Sequence, residues 1–254
     1  MISKNTIKRL NSLSFKKYRN KENLFLAEGD KMILEIIQSG FSVKEIYVTA
    51  EFETLIRKTG FPVEKISIAD YEELRKISLL KTPQNSLAVC SIPAKKKLPE
   101  ILEEPLSIFL DGIQDPGNLG TIIRLCDWFG IQHLFCSKDT VDLYSPKVIQ
   151  SSMGSFMRVN VFECDLSEVG YLAKKSGAIV YGTFMKGKNI YKTNLAPKAI
   201  LVMGNEGNGI REESIPLIDQ KISIPNFSGN KLTAESLNVS VATAILCSEF
   251  KRQA

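Results

Sequence analysis

Three short stretches of this 254-residue chain carry residue types and spacings that could do chemistry. The first, "DPGNLGTIIR" at 115–124, follows the apolar run "LSIFLD" and leads into an apolar-periodic stretch. Pro116 fixes its own φ, Gly117 and Gly120 let the backbone approach a neighbour closely or take positive φ, and Asn118 is placed to cap the helix that follows. Arg124 lies under two helical turns beyond Asn118, near the same end of the element. A tight strand-to-helix turn carrying a solvent-facing arginine is the plainer alternative.

The second stretch, "LVMGNEGNGI" at 201–210, crowds Gly204, Gly207 and Gly209 at the end of an apolar strand. Ligands bind at such strand ends in open parallel sheets. These glycines read GxxGxG after a late strand, whereas a dinucleotide fingerprint reads GxGxxG after the first strand of its domain. A nicotinamide dehydrogenase is therefore disfavoured. The third stretch, "ISIPNFSGNKLTAESLNVSVA" at 222–242, places Ser236 and Asn238 at the mouth of a helix, where backbone donors and side chains converge. Capping alone would explain the serine. His133, the single histidine, has no evident metal partners and reads as structural or surface. The five cysteines are scattered, odd in number and form no CxxC pair, which indicates neither a metal site nor a disulfide framework. They read as small core hydrophobes.

Two α/β units must position these residues. In the first ninety or so residues, "LFLAEG", "VKEIYVTA", "VEKISIA" and "NSLAVCSIP" alternate with helical patterns such as "DKMILEIIQSG" and "DYEELRKISLL". The charged, proline-bounded "PAKKKLPEILEEP" is the best linker in the chain, so a first domain is expected over 1–93, a linker over 94–105 and a second domain over 106–254. The second domain's strands, among them "LSIFLD", "AIVYGTF" and "AILVMG", are short and strongly apolar, as expected of a mostly parallel sheet covered by helices. The last helix is expected to share a face among Leu237, Val241, Ile245 and Phe250. Lys and Arg outnumber Asp and Glu by 33 to 28, and Lys4, Lys8, Arg9, Lys16, Lys17, Arg19 and Lys21 all precede the first acidic residue, Glu22. Such a run suits a polyanion, with a solvated helix face as the alternative. A mitochondrial presequence ranks lower, because the run passes straight into globular patterning. No apolar stretch is long enough to span a bilayer, and an intracellular, cytoplasmic protein without a membrane partner is expected.

Taken together and in this order, "DPGNLGTIIR", "LVMGNEGNGI", "ISIP" and "SLNVSVA" resemble the SpoU (TrmH-like) RNA ribose 2'-O-methyltransferases of the SPOUT superfamily, over roughly residues 106 to 250. The N-terminal stretch from "KKYRNKENLFLAEG" onward is similar to the substrate-binding domain of many members, a small α/β fold also found in RNA-binding ribosomal proteins. The resemblance implies a deep trefoil knot, an exception to the unknotted rule. It also implies a homodimer with the site near the subunit interface and S-adenosylmethionine held in the knot by Thr183, Gly204, Ile224, Ser236 and Leu237. Asn118, Arg124, Glu206 and Asn238 would form the reacting region, and Lys16, Lys17 and Arg19 would contact RNA phosphates. The stretch between Pro225 and Leu237 is longer than the family's usual link.

The implied chemistry is attack by a weakly acidic ribose hydroxyl on a methyl carried by a sulfonium, which calls for no metal. Something must align the hydroxyl and take its proton. Arginine as the base is costly, since neutralising it near pH 7 takes roughly 8 kcal/mol. A cheaper role for Arg124 is to clamp an RNA phosphate and orient the hydroxyl while phosphate or water accepts the proton. Members with a long N-terminal domain favour ribosomal RNA, with transfer RNA as the close alternative. An RNA-binding protein that has lost catalysis is a third reading, against which the intact Asn118, Arg124 and Glu206 count.

Overall fold

The computed structural model describes residues 1–228 and 235–254 and divides the chain into two compact units, 1–94 with 142–157, and 95–141 with 158–254. In the first unit, helices α1 (Lys4–Ser12) and α2 (Lys16–Glu22) precede β1 (Leu24–Glu28). There follow α3 (Asp30–Gln38), β2 (Val43–Val48), α4 (Ala50–Arg57), β3 (Ile66–Ile68), α5 (Tyr71–Ile77) and β4 (Ser86–Ser91). The strands form one sheet in the order β1-β4-β2-β3, with β4 antiparallel to both neighbours and β2 parallel to β3. Leu10 and Leu13 from the N-terminal helical region meet Leu26, Leu74, Ile77 and Val89 in a core that excludes water.

A later helix, α7 (Pro146–Ser152), also belongs to this unit. Sequence patterning assigns 106–254 to the second domain, yet Tyr144 and Phe156 pack their rings on Phe25 of β1, with centroids 4.9 and 6.0 Å away. Aromatic burial across more than a hundred residues of chain outweighs chain order here.

The second unit holds a six-stranded sheet in the order β10-β8-β9-β5-β6-β7. Its members are β5 (Leu106–Asp111), β6 (His133–Cys136), β7 (Asn160–Glu163), β8 (Ile179–Asn189), β9 (Ala199–Gly204) and β10 (Gln220–Ser223), and every pairing is parallel. Helices α6 (Pro116–Trp128), α8 (Leu166–Ser176) and α9 (Val239–Gln253) accompany it. Every residue of β5 and β9 is buried, which explains why both are apolar apart from Ser107 and Asp111 of β5. Pairing between β8 and β10 jumps from Gly182 with Lys221 to Lys188 with Ile222. Residues 183–187 thus leave that ladder at the strand-end edge where β9 stops.

One expectation needs correction. Helix α9 starts at Val239 and buries Val239, Thr243, Leu246, Cys247 and Phe250, while Leu237 and Val241 are each 50% exposed. The apolar stripe at Leu237, Val241 and Ile245 is real in spacing but lies beside the buried face; only Phe250 joins the core. His133 proves structural: its ring stacks on Phe135 and Phe162, and Nδ1 contacts the Glu104 carboxylate. All five cysteines are buried free thiols, and burial raises the pKa of each.

Candidate active site

The turn after β5 is built by an aspartate rather than by Asn118. Asp115 is the N-cap of α6, its Oδ1 accepting from the Asn118 backbone N–H at 2.7 Å, and Pro116 occupies the start of the helix, where no intrahelical N–H is required. This corrects the expected capping role of Asn118. Its side-chain amide is consequently free for other partners.

Those partners come from the other two motifs. Asn118 Nδ2 donates to Glu206 Oε1 at 2.7 Å, while Asn118 Oδ1 accepts from Asn238 Nδ2 at 3.0 Å and from Ser240 Oγ at 2.8 Å. A carboxylate on one side and two donors on the other leave one sensible orientation for the amide. Asn238 is held in turn, because it caps α9 by accepting from the N–H groups of Ser240 and Val241 at 2.9 and 3.4 Å. Sequence reading picks out Asn118, Glu206 and Asn238 but stops at Ser236, which is exposed; Ser240, two residues into the first turn of α9, is the buried hydroxyl that joins them.

The loop carrying Glu206 is closed on itself and tied to the first motif. Asn205 and Gly209 exchange two backbone hydrogen bonds of 2.9 Å, and Asn205 Oδ1 accepts from the N–H groups of Gly207 and Asn208. A Cβ on Gly204 would lie 2.3 Å from the Gly209 carbonyl carbon and the Ile210 nitrogen, so only glycine lets this loop fold back. Asn205 Nδ2 donates to the Gly112 carbonyl at 2.7 Å. Below it, the fully buried Asp111 accepts from the Arg211 backbone N–H at 3.0 Å and from Arg211 Nε at 2.7 Å. That hydrogen bond, acting against desolvation, raises the Arg211 pKa above its ordinary value. Sequence reading misses Asp111 and Arg211; the available signal is a carboxylate ending an otherwise apolar strand, a buried charge that needs a partner.

Arg124 projects from α6 as an exposed side chain with no hydrogen bond or ion pair to the described residues. Thr183 and Ile224 are half-buried, Gly204 is buried, and Leu237 is half-exposed. Strand register sets Thr183, Gly204 and the end of β10 along one edge of the sheet, since Gly182 pairs with both Val202 and Lys221. The expected link from Pro225 to Leu237 includes 229–234, which lie outside the described residues. Among the described residues, no three His, Cys, Asp or Glu side chains group as a metal site, and no helix is long and apolar enough to cross a membrane.

In the first unit, Lys16 and Lys17 are exposed on α2. Arg19 is not available for phosphates, which corrects that expectation. It is 2% exposed, donates through Nη1 to the carbonyls of Leu13 and Ser14 at 2.8 Å each, and donates through Nε to Asp142 Oδ2 at 3.0 Å. Arg9 is likewise engaged, with Glu45. Lys4, Lys8, Lys16, Lys17 and Lys21 remain exposed and without an ion pair among the described residues.

The family model of the SpoU rRNA Methylase family matches residues 105–248, and that of the MRM3-like substrate binding domain matches residues 4–88. The 23S rRNA (guanosine(2553)-2'-O)-methyltransferase RlmP of Bacillus subtilis (strain 168) is 32% identical over 244 residues, covering 94% of this chain and 93% of that protein. A solved TrmH-family structure from Porphyromonas gingivalis is 38% identical, covers 100% of both chains and superposes with a TM-score of 0.85. The AdoMet complex of the SpoU methyltransferase AviRb from Streptomyces viridochromogenes shares the fold, with 23% identity, 97% coverage of both chains and a TM-score of 0.84.

Proposed function

The chain belongs to the SpoU rRNA Methylase family, and on that premise we propose that it is an S-adenosylmethionine-dependent RNA 2'-O-ribose methyltransferase acting on ribosomal RNA. The observation that carries this reading is the Asn118 junction, where one amide joins the Glu206 loop to the Asn238 and Ser240 end of α9. The naming of the Bacillus relative for a 23S rRNA 2'-O-methyltransferase supports ribosomal over transfer RNA.

The residues present fit the cofactor. The strand register sets the backbone around Thr183 beside the ends of β9 and β10, with Gly204 closing β9 and Ile224 following β10, a setting for an adenine edge; Leu237 would add apolar surface to it. Ser236 borders the same segment. S-adenosylmethionine supplies a methyl group on a sulfonium when bound.

The chain's own part is to align the ribose and manage a proton. Asn118 is locked by donors and acceptor, so it can hold the Glu206 loop or the ribose in register without rotating. Arg124, whose guanidinium has no partner among the described residues, clamps an RNA phosphate through two parallel donors and orients the 2'-hydroxyl, whose proton passes to phosphate or water.

In this reading, residues 1–93 recognise RNA, 94–105 link, and 106–254, apart from the 142–157 segment that packs with the first unit, carry the reaction within a trefoil-knotted domain. The protein is a cytoplasmic homodimer, a reading supported by its buried, unpaired cysteines and by the exposed apolar side chains of α6 and α9. Mapping ribose methylation in ribosomal RNA from cells with and without the protein tests the whole proposal. One modification should vanish with the protein and return on adding it with S-adenosylmethionine. RNA with a single 2'-deoxy nucleotide at that site should bind and take no methyl group there. Rapid methylation of the deoxy substrate would move the chemistry to the base.

A further inference from the structure

We propose that the turn between α1 and α2 is a rigid platform on which unpaired RNA bases stack, with Phe15 and Tyr18 as the stacking surfaces. This deepens the reading above by naming the form of RNA that the first unit takes, and it rests on that reading for the identity of the natural substrate.

Phe15 is in an unusual position. It is the N-cap residue of α2, where Ser, Thr, Asp or Asn would satisfy an orphan backbone donor, and its side chain makes no capping hydrogen bond. It does not pack into the core either, being 66% exposed. A large aromatic that neither caps nor buries itself gives up stability on both counts. Tyr18, one turn on, is 40% exposed, and the two rings lie 6.5 Å apart at 68°. At that angle they cannot face a single base together, so each offers its own face.

The surroundings select the partner. Lys16 and Lys17 lie between the two aromatics in sequence, Lys21 follows, and all three are exposed without an ion pair among the described residues. Aromatic faces interleaved with unpaired cations suit single-stranded nucleic acid, whose bases stack while its phosphates meet the lysines. A duplex hides its base faces and would engage the lysines alone.

The turn is also held in place beforehand. The Arg19 guanidinium donates to the carbonyls of Leu13 and Ser14, the two residues before Phe15, and is anchored by Asp142. The N–H groups of Tyr18 and Arg19 both donate to the Phe15 carbonyl, at 3.1 and 3.2 Å. RNA would therefore find the platform already ordered, and little entropy would be lost on binding.

The test uses the full-length protein with a fluorescein-labelled oligouridylate and, for comparison, duplex RNA of equal length. Phe15→Ala with Tyr18→Ala should weaken oligouridylate binding at least about tenfold, leave its salt dependence unchanged and leave duplex binding unchanged. Lys16→Ala with Lys17→Ala should instead flatten the salt dependence for both RNAs. Phe15→Trp should bind as wild type and gain emission that oligouridylate quenches. Wild-type affinity in the double aromatic variant, equal loss on duplex, or unquenched Phe15→Trp emission would each overturn the proposal. So would a drop in mass of the double aromatic variant by light scattering, which would make the patch a contact between copies. Methylation of ribosomal RNA by the wild type is measured separately, so its failure would fall on the enzymatic reading and leave the stacking result standing.

Discussion

Asn118 is the residue on which the second unit's three motifs converge, and its chemistry makes it sensitive to a single-atom change. Asn118→Asp would set a second carboxylate oxygen against Glu206 Oε1, across a gap now closed by a 2.7 Å hydrogen bond. Two carboxylates in contact cannot both stay ionised without moving apart. We expect methyl transfer to fall about 100-fold through displacement of the Glu206 loop, with the protein still folded; unchanged turnover would remove Asn118 from the reaction. Arg124 tests the other half of the site. Arg124→Ala should keep S-adenosylmethionine binding by calorimetry while methyl transfer falls severely, and Arg124→Lys should recover little, because a point charge does not reproduce a planar two-donor clamp. Restoration by lysine would show that charge alone suffices. Residues of this kind are legible in sequence because glycine, proline, asparagine and arginine stand out against apolar strands. Their partners are not: Ser240 is 122 positions from Asn118, and Arg211 is 100 from Asp111. Only the fold brings them together.

At the scale of elements, Arg19 shows how a correct expectation of charge can miss the role. A basic run reads the same whether its side chains face solvent or carbonyl groups, and here the arginine staples the α1–α2 turn. Arg19→Ala would leave Asp142 and two carbonyls without their donor, so we expect a loss of about 3 kcal/mol in urea denaturation. Lys16→Ala with Lys17→Ala should change stability by no more than about 0.5 kcal/mol, while its salt slope for RNA falls by about 0.9 log units per lost duplex contact or 0.7 per single-stranded one. A stable Arg19→Ala protein with weakened RNA binding would reverse the assignment. Helix α9 offers a pH test. Hydrogen bonds from Arg252 and Gln253 lower the Glu249 pKa to about 2. A depressed carboxylate stabilises the fold above its unfolded pKa, and that contribution is lost as pH falls through about 2. Glu249→Gln should therefore lose less thermal stability than wild type on acidification from pH ~4.5 downward. The strands were legible because parallel strands buried on both faces need no alternation. The placement of 142–157 with the first unit was not, since it depends on Tyr144 and Phe156 finding Phe25.

For the whole molecule, the apolar residues left over by folding carry the argument. The periodicity at Leu237, Val241 and Ile245 looks like a core face, but α9 turns a neighbouring stripe inward and leaves Leu237 and Val241 half-exposed. Trp128, at the end of α6, is 83% exposed, and α6 packs on α9. Exposed apolar chains on two adjoining helices are costly for an isolated protein and are resolved when a second copy covers them. The same helices carry Asn118, Arg124 and Ser240, with Asn238 capping α9, so a dimer formed there would couple assembly to the site. Light scattering should give a mass near twice the 28.3 kDa chain at micromolar concentration. Trp128→Glu with Val241→Glu should shift it toward the single-chain mass, because each introduced carboxylate would be desolvated at the contact. If the second copy completes the site, methyl transfer should decline in parallel with the dimer fraction on dilution. A monomer with full specific activity would exclude both the contact and its role in catalysis, whereas a dimer that survives both substitutions would move the contact to another face.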